Sequence, residues 1–206
     1  MQKRLPKKTS PKKILIINGN PARERTTFCA ALAGNYLHHA EKADHSVSSI
    51  KLADLVFDPI QHEGYAKEQP LEHDLVTLRQ AMVDADHWVL IFPLWYGLPP
   101  ALVKGFIERI FVKGFAFEFE GLYPKPLPIL KNKTVRVIIT CSMPKFVYDW
   151  FSGKPSNKAL QTLFDLCGMK VSGFTVFSSI AQQSPEDIIR YNHYFESLRE
   201  LGTLGI

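Results

Sequence analysis

Short apolar, β-branched runs alternate along this chain with longer stretches whose apolar residues recur at helical spacing. Ile14-Leu15-Ile16-Ile17-Asn18-Gly19 is the first such run. Its unbroken apolar character and its ending in turn residues suit a central parallel strand covered on both faces. From Thr27 to about Ala40 no proline intervenes and Phe28, Ala31, Leu32 and Leu37 fall at roughly helical spacing, with Thr26 or Thr27 available as the N-cap. Val47 to Leu52 alternates weakly and predicts a second strand. Asp54 to Pro70 is a polar excursion containing Pro59, Gly64 and Pro70, long enough to suggest a functional segment. Leu71 to Ala85 predicts a helix through Leu75, Leu78 and Met82, and His87 to Phe92 predicts the third strand.

Pro100 to Val112 is helical in pattern. Gly114-Phe115-Ala116-Phe117-Glu118-Phe119-Glu120-Gly121 alternates bulky aromatic with smaller or charged residues and predicts an extended arm or hairpin. Val135 to Cys141 is the fourth strand, Pro155 to Cys167 a helix with Leu160, Leu163, Phe164 and Cys167 on one face, and Met169 to Phe177 the fifth strand. Ser184-Pro185-Glu186-Asp187 opens the last helix, with Ser184 capping, Pro185 at the first helical position and acids in the first turn. Five strands alternating with helices predict a doubly wound parallel sheet with helices on both faces. The count of five favours the strand order 2-1-3-4-5 over the six-stranded dinucleotide-binding order.

In the order 2-1-3-4-5, the loops after strands one, three and four surround one crevice at the carboxyl edge of the sheet, where ligands bind in such folds. The first loop, Asn20 to Phe28, carries Arg23, Arg25, Thr26 and Thr27 at a helix start, which suits either a phosphate or an ordinary capped turn. No glycine-rich pyrophosphate or nucleoside-triphosphate loop is present. The second loop, Phe92-Pro93-Leu94-Trp95-Tyr96-Gly97-Leu98-Pro99-Pro100, is stiffened by prolines, and Gly97 allows a left-handed turn. Trp95 and Tyr96 suit a flat heteroaromatic ring, and equally suit capping the sheet or burial against a partner subunit. The third loop, Thr140-Cys141-Ser142-Met143 through Tyr148, offers hydroxyls, backbone amides and one phenol; Cys141 reads as a packed strand-end residue, because no histidine lies nearby in sequence to activate it.

Charge changes the picture less than the total suggests. Of 25 basic residues six lie within the first 13 positions, with no acid among them, which leaves 19 basic against 20 acidic residues and a core net charge of −1. Residues 1–12 therefore read as a basic disordered tail and 13–206 as the folded domain. A near-neutral core without a clustered basic helix argues against nucleic-acid binding. Three widely spaced cysteines outside any Cys-x-x-Cys arrangement suit reduced thiols and a cytoplasmic location. No signal-peptide order is visible. The longest apolar stretch, Trp88 to Val103, is interrupted by Pro93, Gly97, Pro99 and Pro100 and falls short of the ~20 residues of a membrane span. The seven histidines show no metal-ligand spacing, so no metal site is expected.

Taken together, Arg23-Glu24-Arg25-Thr26-Thr27-Phe28, the segment Pro93 to Gly105 continuing through Glu108-Arg109-Ile110-Phe111, and Gly114-Phe115-Ala116-Phe117 resemble the flavodoxin-like NAD(P)H:quinone oxidoreductase family. This family includes bacterial modulators of drug activity and ancillary subunits of potassium-efflux systems, and the resemblance runs from Lys13 to Gly202. It implies a flavodoxin-like fold and a bound flavin that takes hydride from NAD(P)H and passes it to a quinone in a ping-pong scheme. By resemblance, Asn20, Arg25, Thr26, Thr27 and Phe28 surround the flavin phosphate and ribityl chain. Pro93, Leu94, Trp95 and Tyr96 with Thr140, Cys141, Ser142 and Met143 frame the isoalloxazine ring.

The chain departs from that pattern in two places. Family members that bind FAD commonly carry a Thr-Thr-Gly-Gly turn, then Tyr, then His six residues later; here the turn is Thr140-Cys141-Ser142-Met143, the tyrosine is Tyr148, and Lys154 stands at the histidine spacing. The altered turn resembles short relatives that carry FMN, so FMN is favoured, with FAD the alternative. Tyr148 is the candidate proton donor to a quinone oxygen, against a phenol that only lines the pocket. The resemblance also implies a homodimer, with the Phe115, Phe117 and Phe119 row either forming the contact or folding back on its own domain. A one-electron carrier and a flavin-binding regulatory subunit of a membrane transporter are the rival functions.

Overall fold

The strand β1 (Lys13–Asn18) lies inside a five-stranded parallel sheet, between β2 (Ser46–Lys51) and β3 (His87–Pro93). Five consecutive buried residues, Ile14 to Asn18, explain why this run is apolar on both faces. The structure, a computed structural model, describes residues 10–24, 26–64, 67–120, 125–151, 153–180 and 185–206. Beyond β3 the sheet continues through β6 (Thr134–Thr140) and β7 (Lys170–Phe177), giving the order β2-β1-β3-β6-β7. Counted within this sheet alone, that is the expected 2-1-3-4-5.

Helices cover both faces. α1 (Phe28–Lys42) and α5 (Pro185–Leu204) enclose a core of Ile14, Ile16, Leu32, Tyr36, Val89, Ile91, Ile138 and Leu198. On the other face α2 (His73–Asp84), α3 (Ala101–Ile110) and α4 (Pro155–Leu166) enclose Leu15, Leu75, Met82, Trp88, Phe92, Phe106, Phe164 and their neighbours. The alternation of in-facing residues from β3, Trp88 and Leu90 to one core and Val89 and Ile91 to the other, fixes which helix packs where. Ser184, the expected cap of the last helix, lies outside the described residues, as do positions 1–9 of the expected tail. Lys12, at the boundary of that tail, is anchored in the fold: its amide donates to His45 Nδ1 at 3.1 Å and its Nζ to the Gly205 carbonyl at 2.7 Å.

Two regions take a definite form among the alternatives the sequence left open. The arm after α3 is half of a two-stranded antiparallel ribbon, β4 (Phe117–Glu120) with β5 (Lys125–Pro128), whose second strand carries two prolines and no strand signal. The ribbon folds back on its own domain, with Ile129 N donating to Ala116 O and Leu130 N to Cys167 O. Phe115 is accordingly buried beneath the Arg79 guanidinium, 4.4 Å from the ring centroid, and Phe117 packs half-buried against the same core. These two rings are not an exposed contact row; the Phe119 side chain lies outside the described residues.

The described residues of the polar excursion Asp54 to Pro70, 54–64 and 67–70, form a strap laid across α3. Arg109, with a fully buried side chain, donates to Asp58 O at 2.5 Å, Pro70 O at 2.8 Å and both Glu72 oxygens at 3.1 and 3.0 Å. Gly105 makes the close approach possible, since a Cβ there would sit 2.4 Å from Pro59 Cβ. The strap, α3, α4 and the residues around Gly114 line a half-open groove of about 1180 Å³, largely apolar through Leu98, Ile107, Val112 and Leu163.

Candidate functional site

Three loops lie together at the carboxyl edge of the sheet, the edge where such folds bind ligands, and those after β3 and β6 are joined by a backbone hydrogen bond from Leu94 N to Thr140 O. The loop after β1 begins with Gly19, whose amide donates to Ile91 O at 2.7 Å. A Cβ at Gly19 would lie 2.3 Å from Val103 Cγ2, so only glycine lets α3 close down over the strand ends. Two consecutive side-chain turns follow: Asn18 Oδ1 accepts from Asn20 N at 3.0 Å, and Asn20 Oδ1 accepts from Ala22 N at 2.9 Å. Lys51, at the end of β2, donates to the carbonyls of Arg23 and Glu24, each at 3.1 Å, and so holds the loop from the far side. This contribution had no sequence signal, because Lys51 reads as an ordinary strand-end charge.

Thr27 is the N-cap of α1, its Oγ1 accepting from Ala30 N at 3.2 Å. The amides of the first helical turn have no intrahelical acceptor, and the helix dipole places partial positive charge there. Thr26 is exposed beside them. Phe28 turns away from the crevice and packs on Tyr191 and Phe195 of α5, with ring centroids 5.2 and 6.0 Å apart, so its backbone rather than its ring is the available group. Arg25 lies outside the described residues. The donor set of helix amides, Thr26 hydroxyl and Asn20 fits a single phosphate, and no glycine-rich cradle is present for a pyrophosphate.

The loop after β3 is tighter than its prolines alone suggest. Leu94 N donates to Thr140 O at 2.7 Å, and then Trp95 and Leu98 exchange both backbone hydrogen bonds at 2.9 Å. Tyr96 and Gly97 at its tip have φ of 52° and 82°, the two left-handed positions of a mirror-type hairpin turn. Trp95 is half exposed and Tyr96 wholly so, while the Leu94 side chain is buried. Of the residues expected to frame a flat ring, Pro93, Trp95 and Tyr96 present side chains at the surface; Leu94 contributes to the core.

The loop after β6 is anchored to both neighbours. Thr140 Oγ1 lies 3.5 Å from Cys29 Sγ of α1, Cys141 N donates to Phe177 O at 2.9 Å, and Ser179 N donates to Met143 O at 3.3 Å. Thr140 and Cys141 are buried, Ser142 is exposed and Met143 half-buried. Burial pushes the Cys29 and Cys141 thiols up, so both remain protonated near neutrality. The chain then makes a π-helical turn over Val147–Phe151.

Tyr148 sits in that turn and is fully buried, its hydroxyl donating to Asn157 Oδ1 at 2.6 Å. Burial pushes the phenol up to about 12. In the structure this hydroxyl is occupied by Asn157, so donation to an acceptor would require it to leave that bond. Lys154, at the spacing where the resembled pattern has a histidine, lies 3.3 Å from Asp149 and starts α4 in a left-handed conformation with φ of 54°. One further residue belongs to the site: Ser156 Oγ, buried, donates to Gly97 O at 2.7 Å. Pro155 marked the helix start in the sequence, but not that the helix faced these loops.

A five-stranded parallel sheet in this order, with helices on both faces, defines a flavodoxin-like protein. The family described as flavodoxin-like fold matches residues 12–198, and the chain belongs to it. An NAD(P)H oxidoreductase of Haemophilus influenzae, itself described as uncharacterized, is 29% identical over 171 residues, 81% of this chain and 83% of that protein. The FMN-dependent NADH:quinone oxidoreductase 3 of Halalkalibacterium halodurans is 26% identical over 206 residues, covering 86% of this chain and 95% of its own. The NAD(P)H:quinone oxidoreductase of Methanothermobacter marburgensis superposes with a TM-score of 0.76 at 18% identity over 94% of this chain and 98% of its own, a likeness of fold.

Proposed function

We propose that this chain is a flavin-dependent NAD(P)H oxidoreductase that reduces a quinone or a similar small acceptor. The observation that carries the reading is the placing of three loops at one edge of the sheet: a capped helix start suited to one phosphate, the rigid Trp95–Leu98 hairpin, and the Thr140–Met143 turn, whose Thr140 meets both Cys29 of that helix and Leu94 of the hairpin loop. A bound flavin supplies a two-electron carrier that accepts hydride from a nicotinamide and gives it to an acceptor. FMN fits better than FAD, because the first loop offers one phosphate site and the relative that spans most of the chain is named as FMN-dependent.

In this reading Asn20, Thr26, Thr27 and the amides of Phe28 and Cys29 hold the phosphate. Pro93, Trp95, Tyr96, Ser142 and Met143 bound the ring, and the rigidity of the hairpin keeps one ring face open for nicotinamide and acceptor in turn. Tyr148 stays protonated beneath them and moves no proton, so a reduced acceptor takes its proton from solvent or from Ser142 at the exposed edge. Homodimerisation through the groove between α3 and α4 is part of the proposal, since Leu98 and Pro99 run from that groove directly into the hairpin. Three buried free thiols support a reducing, cytoplasmic setting. No helix among the described residues is long and apolar enough to cross a membrane.

The test is direct. Purified protein is mixed with FMN or FAD, freed of excess flavin, and its absorbance and NAD(P)H oxidation are followed with and without menadione. A yellow protein whose NAD(P)H oxidation rises with menadione is the expected result; a protein that retains neither flavin overturns the reading.

A further inference from the structure

The start of α4 touches both ring-framing loops at once. Within four consecutive residues, Lys154 Nζ reaches Asp149 Oδ1 at 3.3 Å, Pro155 Cγ lies 3.4 Å from the position a Cβ would take on Gly97, Ser156 Oγ donates to Gly97 O at 2.7 Å, and Asn157 Oδ1 accepts from the Tyr148 hydroxyl at 2.6 Å. Gly97 belongs to the hairpin after β3, and Tyr148 and Asp149 to the π-helical turn after β6. Ser156 and Tyr148 are wholly buried while their partners Gly97 and Asn157 are half-buried, so a hydroxyl that loses its bond here has little access to water in exchange.

Local rules are broken to achieve this. A helix start normally carries Ser, Thr, Asp or Asn at the cap, and a left-handed residue there is normally glycine. Here the cap is Lys154, with φ 54° and ψ 54° and no side-chain capping bond, followed by Pro155 at the first helical position. A left-handed non-glycine is sterically unfavourable, because its Cβ crowds the following carbonyl oxygen. Such a cost persists where the surrounding contacts over-determine it, and sites of function are where such strain concentrates. The contacts that over-determine it here are those to the two loops.

We propose that the first turn of α4 is a clamp that fixes the spacing between the Trp95–Leu98 hairpin and the loop of residues 141–149, with Ser156 and Asn157 as its positioning residues. The clamp also accounts for the Tyr148 hydroxyl, which serves as a strut between loop and helix. Because Ser156 and Asn157 are adjacent on one rigid helical turn, movement of either loop is transmitted to the other. The clamp itself needs no flavin; only its effect on hydride transfer rests on the proposed function.

The experiment uses the full chain with fluorotryptophan and methyl-labelled methionine, observed by NMR without flavin, the Trp95 and Met143 lines being assigned by Trp95→Phe and Met143→Leu. Ser156→Ala, which removes the bond to the hairpin, is expected to shift or broaden the Met143 line in the other loop. Asn157→Ala, which removes the bond to Tyr148, is expected to shift the Trp95 line, and Tyr148→Phe should do the same. Ser156→Thr, which keeps the hydroxyl, should restore the wild-type lines. If Ser156→Ala does not fold, Asn157→Ala and Tyr148→Phe carry the test, since Asn157 is only half-buried.

With flavin bound, both alanine variants should slow the reduction of flavin by NAD(P)H about tenfold through misplacement of the ring, while FMN affinity changes less than about threefold because the phosphate loop is untouched. Variants that perturb only the loop they touch overturn the clamp. A wild-type protein that binds no flavin overturns the proposed function instead, and leaves the NMR result standing on its own.

Discussion

The buried guanidinium of Arg109 grips the Glu72 carboxylate with two hydrogen bonds of 3.1 and 3.0 Å, and through Asp58 O and Pro70 O it holds both ends of the strap across α3. Burial works against the charged form of Glu72, but the bonds from Arg109 and the Asp58 amide outweigh it and hold the carboxyl below its ordinary range. Arg109→Lys loses the fork while keeping the charge, and is expected to destabilise the fold by ~3 kcal/mol. Urea denaturation measures this, and early proteolysis between residues 58 and 70 identifies the strap as the part released.

His87, at the start of β3, is wholly buried, with Nδ1 2.6 Å from Thr134 Oγ1 and Nε2 making no hydrogen bond among the described residues. Burial, helped by Lys12, Arg136 and His45, pushes its pKa down to about 3, well below the ~6.5 of an unfolded histidine. Between those two values the unfolded chain binds the extra proton, so stability is complete above about pH 6.5 and falls as the pH drops toward 3. The slope attributable to this residue is up to about 1.4 kcal/mol per pH unit. Urea midpoints measured from pH 7.5 to 4 should show it, and His87→Leu should flatten the profile over that window.

Thr26 and Thr27 separate binding from folding. Thr27 caps α1, so Thr27→Ala should cost about 1 kcal/mol of stability as well as weakening FMN. Thr26 is exposed and makes no capping bond in the structure, so Thr26→Ala should weaken FMN while leaving the melting temperature unchanged. Flavin-fluorescence titration beside thermal melts tests both. Equal FMN affinity in all three proteins would remove this loop from the site.

The groove between α3 and α4 is the expected dimer face. Leu163→Glu, which puts a charge into its apolar lining, should shift the protein from dimer to monomer in sedimentation velocity without lowering its helix content. A wild-type monomer at micromolar concentration would be the contrary result.

Legibility in the sequence followed the range of the interaction responsible. β1 and β3 were readable because strands buried on both faces carry near-continuous apolar runs, and the α1 start was readable because capping is local chemistry at Thr27. β5 was not, since Lys125-Pro126-Leu127-Pro128 has the composition of a loop and pairs with Phe117–Glu120 only through a ribbon placed by the rest of the fold. Arg109 carried a resemblance in the sequence but no mechanism; its role depends on carbonyls 51 and 39 residues distant in the chain.

The same division runs through the candidate site. The sequence by itself determined that a parallel sheet would carry three loops at one edge, that the first would end in a capped helix start and that the second would be an aromatic, proline-stiffened turn, because hydrophobic periodicity, capping and proline geometry act over a few residues. Only the tertiary structure decided which of the named residues face the crevice. Leu94, Thr140 and Cys141 are drawn into the core by strand pairing, Phe28 is turned onto α5, and the Tyr148 hydroxyl donates to Asn157. Side-chain direction at a strand end is set by what packs on each face of the sheet, and those partners, α4 above all, come from parts of the chain that no local pattern connects.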